Sequence, residues 1–542
     1  MRLKTYILIL LTLTATMVVV SRWSVRLDLT EDRRYSLSEA TKTLVKSIET
    51  PVEVRILLAG SLNPSFLRLA NATEELLDEL GRYGTVSFST AAPQKEDKGV
   101  ITTLSPIVIH ERRQQGKTVQ TQVYPYAVVR TGSKEAVVPL LRNNRGLSGE
   151  ENINISIEQL EFAFAEALQQ LSQNENRKIA FIEGHGELSE REVYDLSLNL
   201  ARYYRVDRGT LTGNAQDIFP YDALIIASPQ QPFTEADKYQ IDQYVMQGGR
   251  VMWLIDGVQF SEDILSTDGF TPVIQKDLNL QDLLFRYGVR ITPTLLQDKQ
   301  CLPIPVDVSN DPSQPNFQPM PWYYAPLLLT SQQSPIGYNL GSVSAMFCSG
   351  IEMVGGDDGL RKEVLLATSS ASRAITAPAE VDLSLLEEDE QLFTHAYIPV
   401  AVLAEGSFPS LFQHRMAPEG TIPVKKHLTS KNTRQIVIAC GSLARNEWQQ
   451  GQPLPLGYDR YTGMQFANKD FLTNALLYLT DNTGVINLRQ KDYTLRLIND
   501  RKAHQSRHLI QTATCVTPIL LLIIIGLAVN ITRKTKYNKP QK

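Results

Sequence analysis

KIAFIEGHGE (Lys178–Glu187), DALIIAS (Asp222–Ser228) and RVMWLIDG (Arg250–Gly257) are three short apolar runs, each closed by a turn. Between them lie two segments with helical spacing, Glu190–Tyr204 and a stretch opened by Thr234 and ended by Gly248-Gly249. Strands buried on both faces read as unbroken apolar runs, and strands alternating with helices build a parallel, doubly wound sheet. Ligands of such sheets lie beyond the carboxyl ends of the strands. Two of those ends are explicit here: Gly184-His185-Gly186-Glu187 after the first strand and Asp256-Gly257 after the third.

Upstream, Leu37–Ile48 carries apolar residues at helical spacing behind an S-x-x-E box at Ser36–Glu39, which predicts Ser36 as the helix N-cap. Pro51 ends that helix, Val52–Leu58 alternates as a strand, Ser65–Tyr83 reads as a helix and Thr85–Ser89 as a further strand, giving a small α/β unit. Thr118–Arg130 and Lys134–Leu141 read as paired strands about a Thr131-Gly132 turn, and Asn154–Gln173 as an amphipathic helix. Downstream, Thr433–Ala439 is a buried strand and Asn468–Leu479 a helix. QPNFQPMPWYYAPLL (Gln314–Leu328) is either an ordered insertion or a surface loop; Trp322, Tyr323 and Tyr324 in it either form a partner surface or fold against their own domain.

Two long apolar stretches flank this body, Thr5–Val20 and Leu509–Ile531. A helix rises about 1.5 Å per residue against a hydrocarbon core of about 30 Å, so the second stretch is long enough to span a bilayer. The first spans if it runs on to Trp23, and no A-x-A site follows it to favour a cleaved signal. Arg2 and Lys4 at one end, and Arg533, Lys534, Lys536, Lys539 and Lys542 at the other, predict that both termini are cytoplasmic and the body lies outside. The expected organisation is a transmembrane helix at 5–23, an N-terminal α/β extracytoplasmic domain at 24–175, a second α/β domain at 176–500, a transmembrane helix at 508–531 and a basic cytoplasmic tail at 532–542.

A net charge of −4 and the absence of a basic stripe argue against a nucleic-acid partner. No G-x-x-x-x-G-K-[ST] occurs, so any ATPase must be a separate subunit. Neither C-x-x-C nor H-E-x-x-H spacing occurs, so no metal and no cofactor is expected. Cys515 lies in the second apolar stretch; Cys301, Cys348 and Cys440 are too few and too scattered for a disulfide scaffold, leaving open a single bridge such as Cys301–Cys348. His185 beside Glu187 suits a base or a ligand, or else a glycine-permitted turn in which His185 or Glu187 caps the next helix; a lone His rarely marks catalysis without a nucleophile and an orienting partner. Asp256 occupies the place where an elbow would need G-x-S-x-G or G-x-C-x-G. Cys440 follows a strand without the elbow glycine, and a buried free cysteine usually serves packing. No catalytic residue is assigned.

Several stretches in order, RLDLTEDRRYSLSEAT, TQVYPYAVVR, NISIEQLEFAFAEAL, KIAFIEGHGELSE, FTEADKYQIDQYVMQGGRVMWLIDG, LNLQDLLFRYGVRI and NKDFLTNALLYLTDNTGVINLRQK, resemble the GldG family of gliding-motility-associated ABC transporter auxiliary proteins of Bacteroidetes. The central part also resembles a domain shared with intraflagellar-transport proteins and related to amidotransferase-like α/β folds. The resemblance implies an inner-membrane protein with a periplasmic body that is a non-catalytic partner of an ABC permease and a separate ATPase, with Gly184–Glu187 and Asp256 as family-like, structural positions. Two other readings stand beside it: a membrane-anchored hydrolase or amidotransferase-like enzyme using His185, Glu187 and Cys440, and a structural envelope scaffold.

Overall fold

The computed structural model describes residues 36–60, 62–92, 104, 106–112, 118–141, 148–172, 177–309, 314, 316–355, 359–383, 390–422, 425–490 and 507–537. The apolar segment 5–23 and the end of the basic tail beyond Tyr537 lie outside these residues.

The first part of the body is built from α1 (Glu39–Ser47), β1 (Val52–Ile56), α2 (Pro64–Gly81), β2 (Val86–Thr90), the hairpin β3 (Ile107–Arg112) and β4 (Thr118–Val123), β5 (Tyr126–Thr131), β6 (Lys134–Pro139), α3 (Gly149–Glu158) and α4 (Leu160–Ser172). The sheet runs β2-β1-β5-β6, with β1 and β2 parallel and the other pairs antiparallel. Leu69 and Leu77 of α2 and Phe164 and Leu168 of α4 pack on Val54, Ile56 and Val129.

Three expectations shift here. The N-cap of α1 is Ser38, not Ser36: its hydroxyl accepts from Thr41 N–H, while Glu161 of α4 accepts from both Ser38 N–H (2.7 Å) and the Thr41 hydroxyl (2.8 Å), so a distant carboxylate completes the cap. The single long strand expected at 118–130 is two, β4 and β5, because Pro125 between them has no N–H to offer a ladder. The helix expected at 154–173 is also two, and the first begins earlier, at a Ser148/Glu151 capping box.

The central part contains β7 (Lys178–Glu183), α5 (Tyr194–Leu200), β8 (Arg205–Thr210), β9 (Ala223–Ala227), α6 (Glu235–Met246), β10 (Val251–Leu254), α7 (Gln281–Arg286), β11 (Cys301–Asp307), β12 (Phe317–Thr330), β13 (Arg361–Ala367), β14 (Pro399–Gly406), β15 (Thr433–Ile438) and α8 (Asn468–Thr480). These strands lie in the order β11-β12-β13-β14-β15-β10-β9-β7-β8. The five from β15 to β8 are parallel: β7, β9 and β10 are the three expected, and β15 and the unforeseen β8 extend them. The four from β14 to β11 are antiparallel, so the sheet is mixed rather than doubly wound throughout. No described α-helix bridges β11 to β12 or β13 to β14, and a parallel pairing needs such a crossover.

Alternation along the parallel strands divides the core. Phe181, Ile225, Met252 and Ile436 face α5 and α8 through Leu196, Leu200, Phe471 and Leu476. Ile182, Ile226, Trp253 and Val437 face α6 and α7 through Ile241, Val245 and Leu283. Trp253 is fully buried and its indole N–H donates to Gln435 Oε1 at 3.1 Å, so the polar atom is satisfied inside the core.

The chain leaves the body through Asp481–Gln490. Asp481 accepts from the N–H groups of Thr483 (2.7 Å) and Ile486 (3.2 Å), Val485 is buried in the first core, Ile486 in the α5/α8 core, and the Arg489 guanidinium lies 5.2 Å over the Phe162 ring. A separate unit is α9 (Arg507–Tyr537), whose residues Thr514–Thr532 are long and apolar enough to cross a membrane. It coincides with the second apolar stretch and contains Pro518.

Candidate functional site

From β7 the chain moves to β8 on one side and to β9 on the other, so the carboxyl ends of β7 and β9 flank the switch point of the parallel half. Gly184-His185-Gly186-Glu187 sits there. Both glycines have positive φ, +116° and +73°, a region that side chains disfavour, and a Cβ on Gly186 would fall 3.0 Å from Gln230. The turn folds Glu187 back onto His185: its carboxylate accepts from the His185 main-chain N–H (2.7 Å) and lies 3.1 Å from Nδ1. Nε2 lies 3.2 Å from Asp237 Oδ2 on α6, and the ring stacks on Phe233 at 3.7 Å between centroids. The His185 carbonyl accepts from the main-chain N–H groups of Gln230 and Gln231.

Burial works against protonation of this imidazole, but the hydrogen bonds to Asp237 and Glu187 outweigh it and raise its pKa to about 9. Burial likewise opposes ionisation of Asp237, and the bonds from His185 and Thr234 overcome it and hold that carboxyl below its usual range. His185 is therefore an imidazolium between two carboxylates, with both nitrogens donating. Among the described residues its ring partners are Glu187, Asp237 and Phe233; no thiol or hydroxyl is joined to it. Sequence reasoning found His185 and Glu187 but not Asp237, although Thr234-x-x-Asp237 is itself a capping signature, and the structure shows the complete box.

Asp256 follows β10 at the centre of a second cluster. Oδ1 accepts from Gly441 N–H at 2.6 Å, and Oδ2 from the Ser228 hydroxyl at 2.8 Å. Lys276 Nζ is 3.4 Å from Oδ2 and donates to Gln230 Oε1 at 2.9 Å, while the Gln230 amide donates to Ser228. The Lys276 side chain is only 4% exposed, and burial lowers its pKa despite Asp256. Gly441 is demanded by space: a Cβ there would meet Asp256 Oδ2 and Ser228 Oγ at 2.5 Å. Asp256 thus ties the ends of β9, β10 and β15 together.

Beside this cluster opens a cleft of about 540 Å³. The buried Lys276 lines it beside Asp256, with Leu278, Leu280 and Leu284, and the exposed Phe285, Arg286 and Arg415 line it as well. Leu411 of the lining is held by Asp242 of α6, which accepts from Leu411 N–H (3.0 Å) and from the Tyr287 (3.0 Å) and Ser410 (2.7 Å) hydroxyls. The cleft has the volume of sites for small organic ligands.

The remaining candidates lie elsewhere. Trp322 and Tyr324 are buried in β12, packed with Phe347, and the Tyr323 ring lies tilted against Phe393 at 5.1 Å between centroids. The segment is a strand whose aromatics fold into their own domain, which removes Trp322 and Tyr324 from an exposed partner surface. Cys440 is fully buried, 3.6 Å from the Met346 carbonyl, and all four cysteines are free. Burial raises the Cys348 thiol, and its sulfur neighbour is Cys440 rather than Cys301.

A family model described as an ABC-type uncharacterized transport system matches residues 176–475, more than half of the chain. A second model, a domain of unknown function, matches residues 31–130. No curated protein matches. Among solved structures, a chain titled "mmIFT52 N-terminal domain" is similar at 13% identity and a TM-score of 0.32, covering 56% of this chain and 98% of that one.

Proposed function

The chain belongs to the ABC-type uncharacterized transport system family, and from that membership we propose that it is a non-catalytic, membrane-anchored subunit of an ABC-type transporter complex, with its body outside the cytoplasm. A separate permease and ATPase complete the assembly. The observation that carries the non-catalytic reading is the state of the imidazole at the switch point: both nitrogens are committed to carboxylates, so His185 joins β7 to α6 instead of serving as a base. The apolar helix 514–532 supports the anchor, and the basic flanks support cytoplasmic termini. The ordered motifs favour a GldG-type member whose complex serves gliding motility.

Copurification from solubilised membranes tests the core of this. A permease and an ATPase are expected to come down with the chain, and a clean monomer overturns the proposal. Spreading of a deletion strain on soft agar tests the gliding assignment separately. The hydrolase reading, built on an amidotransferase-like sheet, makes the opposite prediction for His185→Ala combined with Cys440→Ser: it requires loss of function in a complementation assay even where the protein remains folded and abundant.

A further inference from the structure

We propose that the cleft beside Asp256 binds a single-chain anionic amphiphile, an acyl body carrying one anionic head. This deepens the accessory-subunit reading, on which its meaning as cargo or signal rests. Leu278, Leu280, Leu284, Phe285, Ile291 and Leu411 line one space, and Phe285 is 58% exposed. A phenyl ring left that open on a cleft wall gains by covering with another apolar surface.

Around the cleft, Asp282 and Glu235 both face Lys238 (3.0 and 2.6 Å) and Arg415 (3.1 and 3.9 Å), two carboxylates for two cations. Asp256 faces Lys276 and Glu352 faces Arg290. Arg286 is left over. Its Nη2 donates to the neutral Gln413 Oε1 at 2.7 Å and its Nε to the Ser410 carbonyl at 3.4 Å, and no carboxylate is paired with it among the described residues. A guanidinium has five N–H donors in a planar fork, so most of Arg286 stays available for a carboxylate or phosphate in the cleft. The position also agrees with the general rule, since the cleft opens beyond the carboxyl end of β10.

The test uses the full chain in nanodiscs of zwitterionic lipid, titrated calorimetrically with sodium octanoate and with 1-octanol. Octanoate is expected to bind saturably, and Arg286→Gln to weaken it tenfold or more while leaving octanol unchanged. Phe285→Ser is expected to weaken both. Unaltered thermal melting of each variant confirms that the fold survives. No saturable octanoate binding, or equal binding by Arg286→Gln, overturns the proposal. Nanodiscs carrying a minor share of single-chain lysophosphatidylglycerol separate the two sources of the same chemistry: loss of octanoate binding there assigns the cleft to a lysolipid, and retention assigns it to a free acid. A chain that captures permease and ATPase yet ignores octanoate refutes this inference alone.

Discussion

His185 is the residue on which pH acts most directly. Its pKa is raised from 6.5 to about 9, so the stabilisation it supplies is complete below 6.5 and is lost as pH rises through about 9. Asp237 is shifted the other way, and its share is present above its usual 3.8 and is lost as pH falls. His185→Gln leaves two facing carboxylates without their cation, a loss on the order of 3 kcal/mol for a largely buried pair. The difference between wild type and variant in thermal melts should be large at pH 6 and shrink well above pH 9; a difference independent of pH would contradict the imidazolium. At Gly441 the constraint is steric. Gly441→Ala should cost about 1–3 kcal/mol in denaturant melts, the usual range for forcing an extra methyl into a filled site. The clash falls on Asp256, so the β9, β10 and β15 ends should loosen together in hydrogen exchange.

Among the elements, α6 does two jobs through one side chain. Asp237 closes the capping box with Thr234 and also receives His185. Thr234→Ala should cost about 1 kcal/mol, as lost caps do, and Asp237→Asn more, since it weakens the cap and the imidazolium together; equal costs in chemical denaturation would contradict the second role. This coupling explains what was legible in the sequence. The strands β7, β9 and β10 announce themselves as unbroken apolar runs, and α6 and α8 by their spacing and ends. β8 (RVDRGT) does not, because an edge strand with half-exposed, polar residues carries no such mark. The antiparallel half was hidden for another reason: β15 lies between β10 and β14, and that pairing across long stretches of chain is set by tertiary packing. His185 and Glu187 were visible as neighbours, whereas Asp237 joins them only once α6 has folded over β7. Within α6, Lys238 and Asp242 are buried, Lys238 satisfied by Asp282 and Asp242 by Tyr287 and Ser410.

Alkaline carbonate should leave the protein in the membrane pellet, and protease added to intact spheroplasts should degrade the body; a released chain, or a protected body, would contradict the anchored, outward arrangement. The exit segment Asp481–Gln490 bears on how such an anchor acts. Because Val485 is sunk in one core, Ile486 in another, and Arg489 lies across Phe162, the exit segment is a cleat rather than a loose thread. A pull on the chain beyond Gln490 would therefore have to extract side chains from two cores at once, so Val485→Ala should make the exit segment yield at lower force.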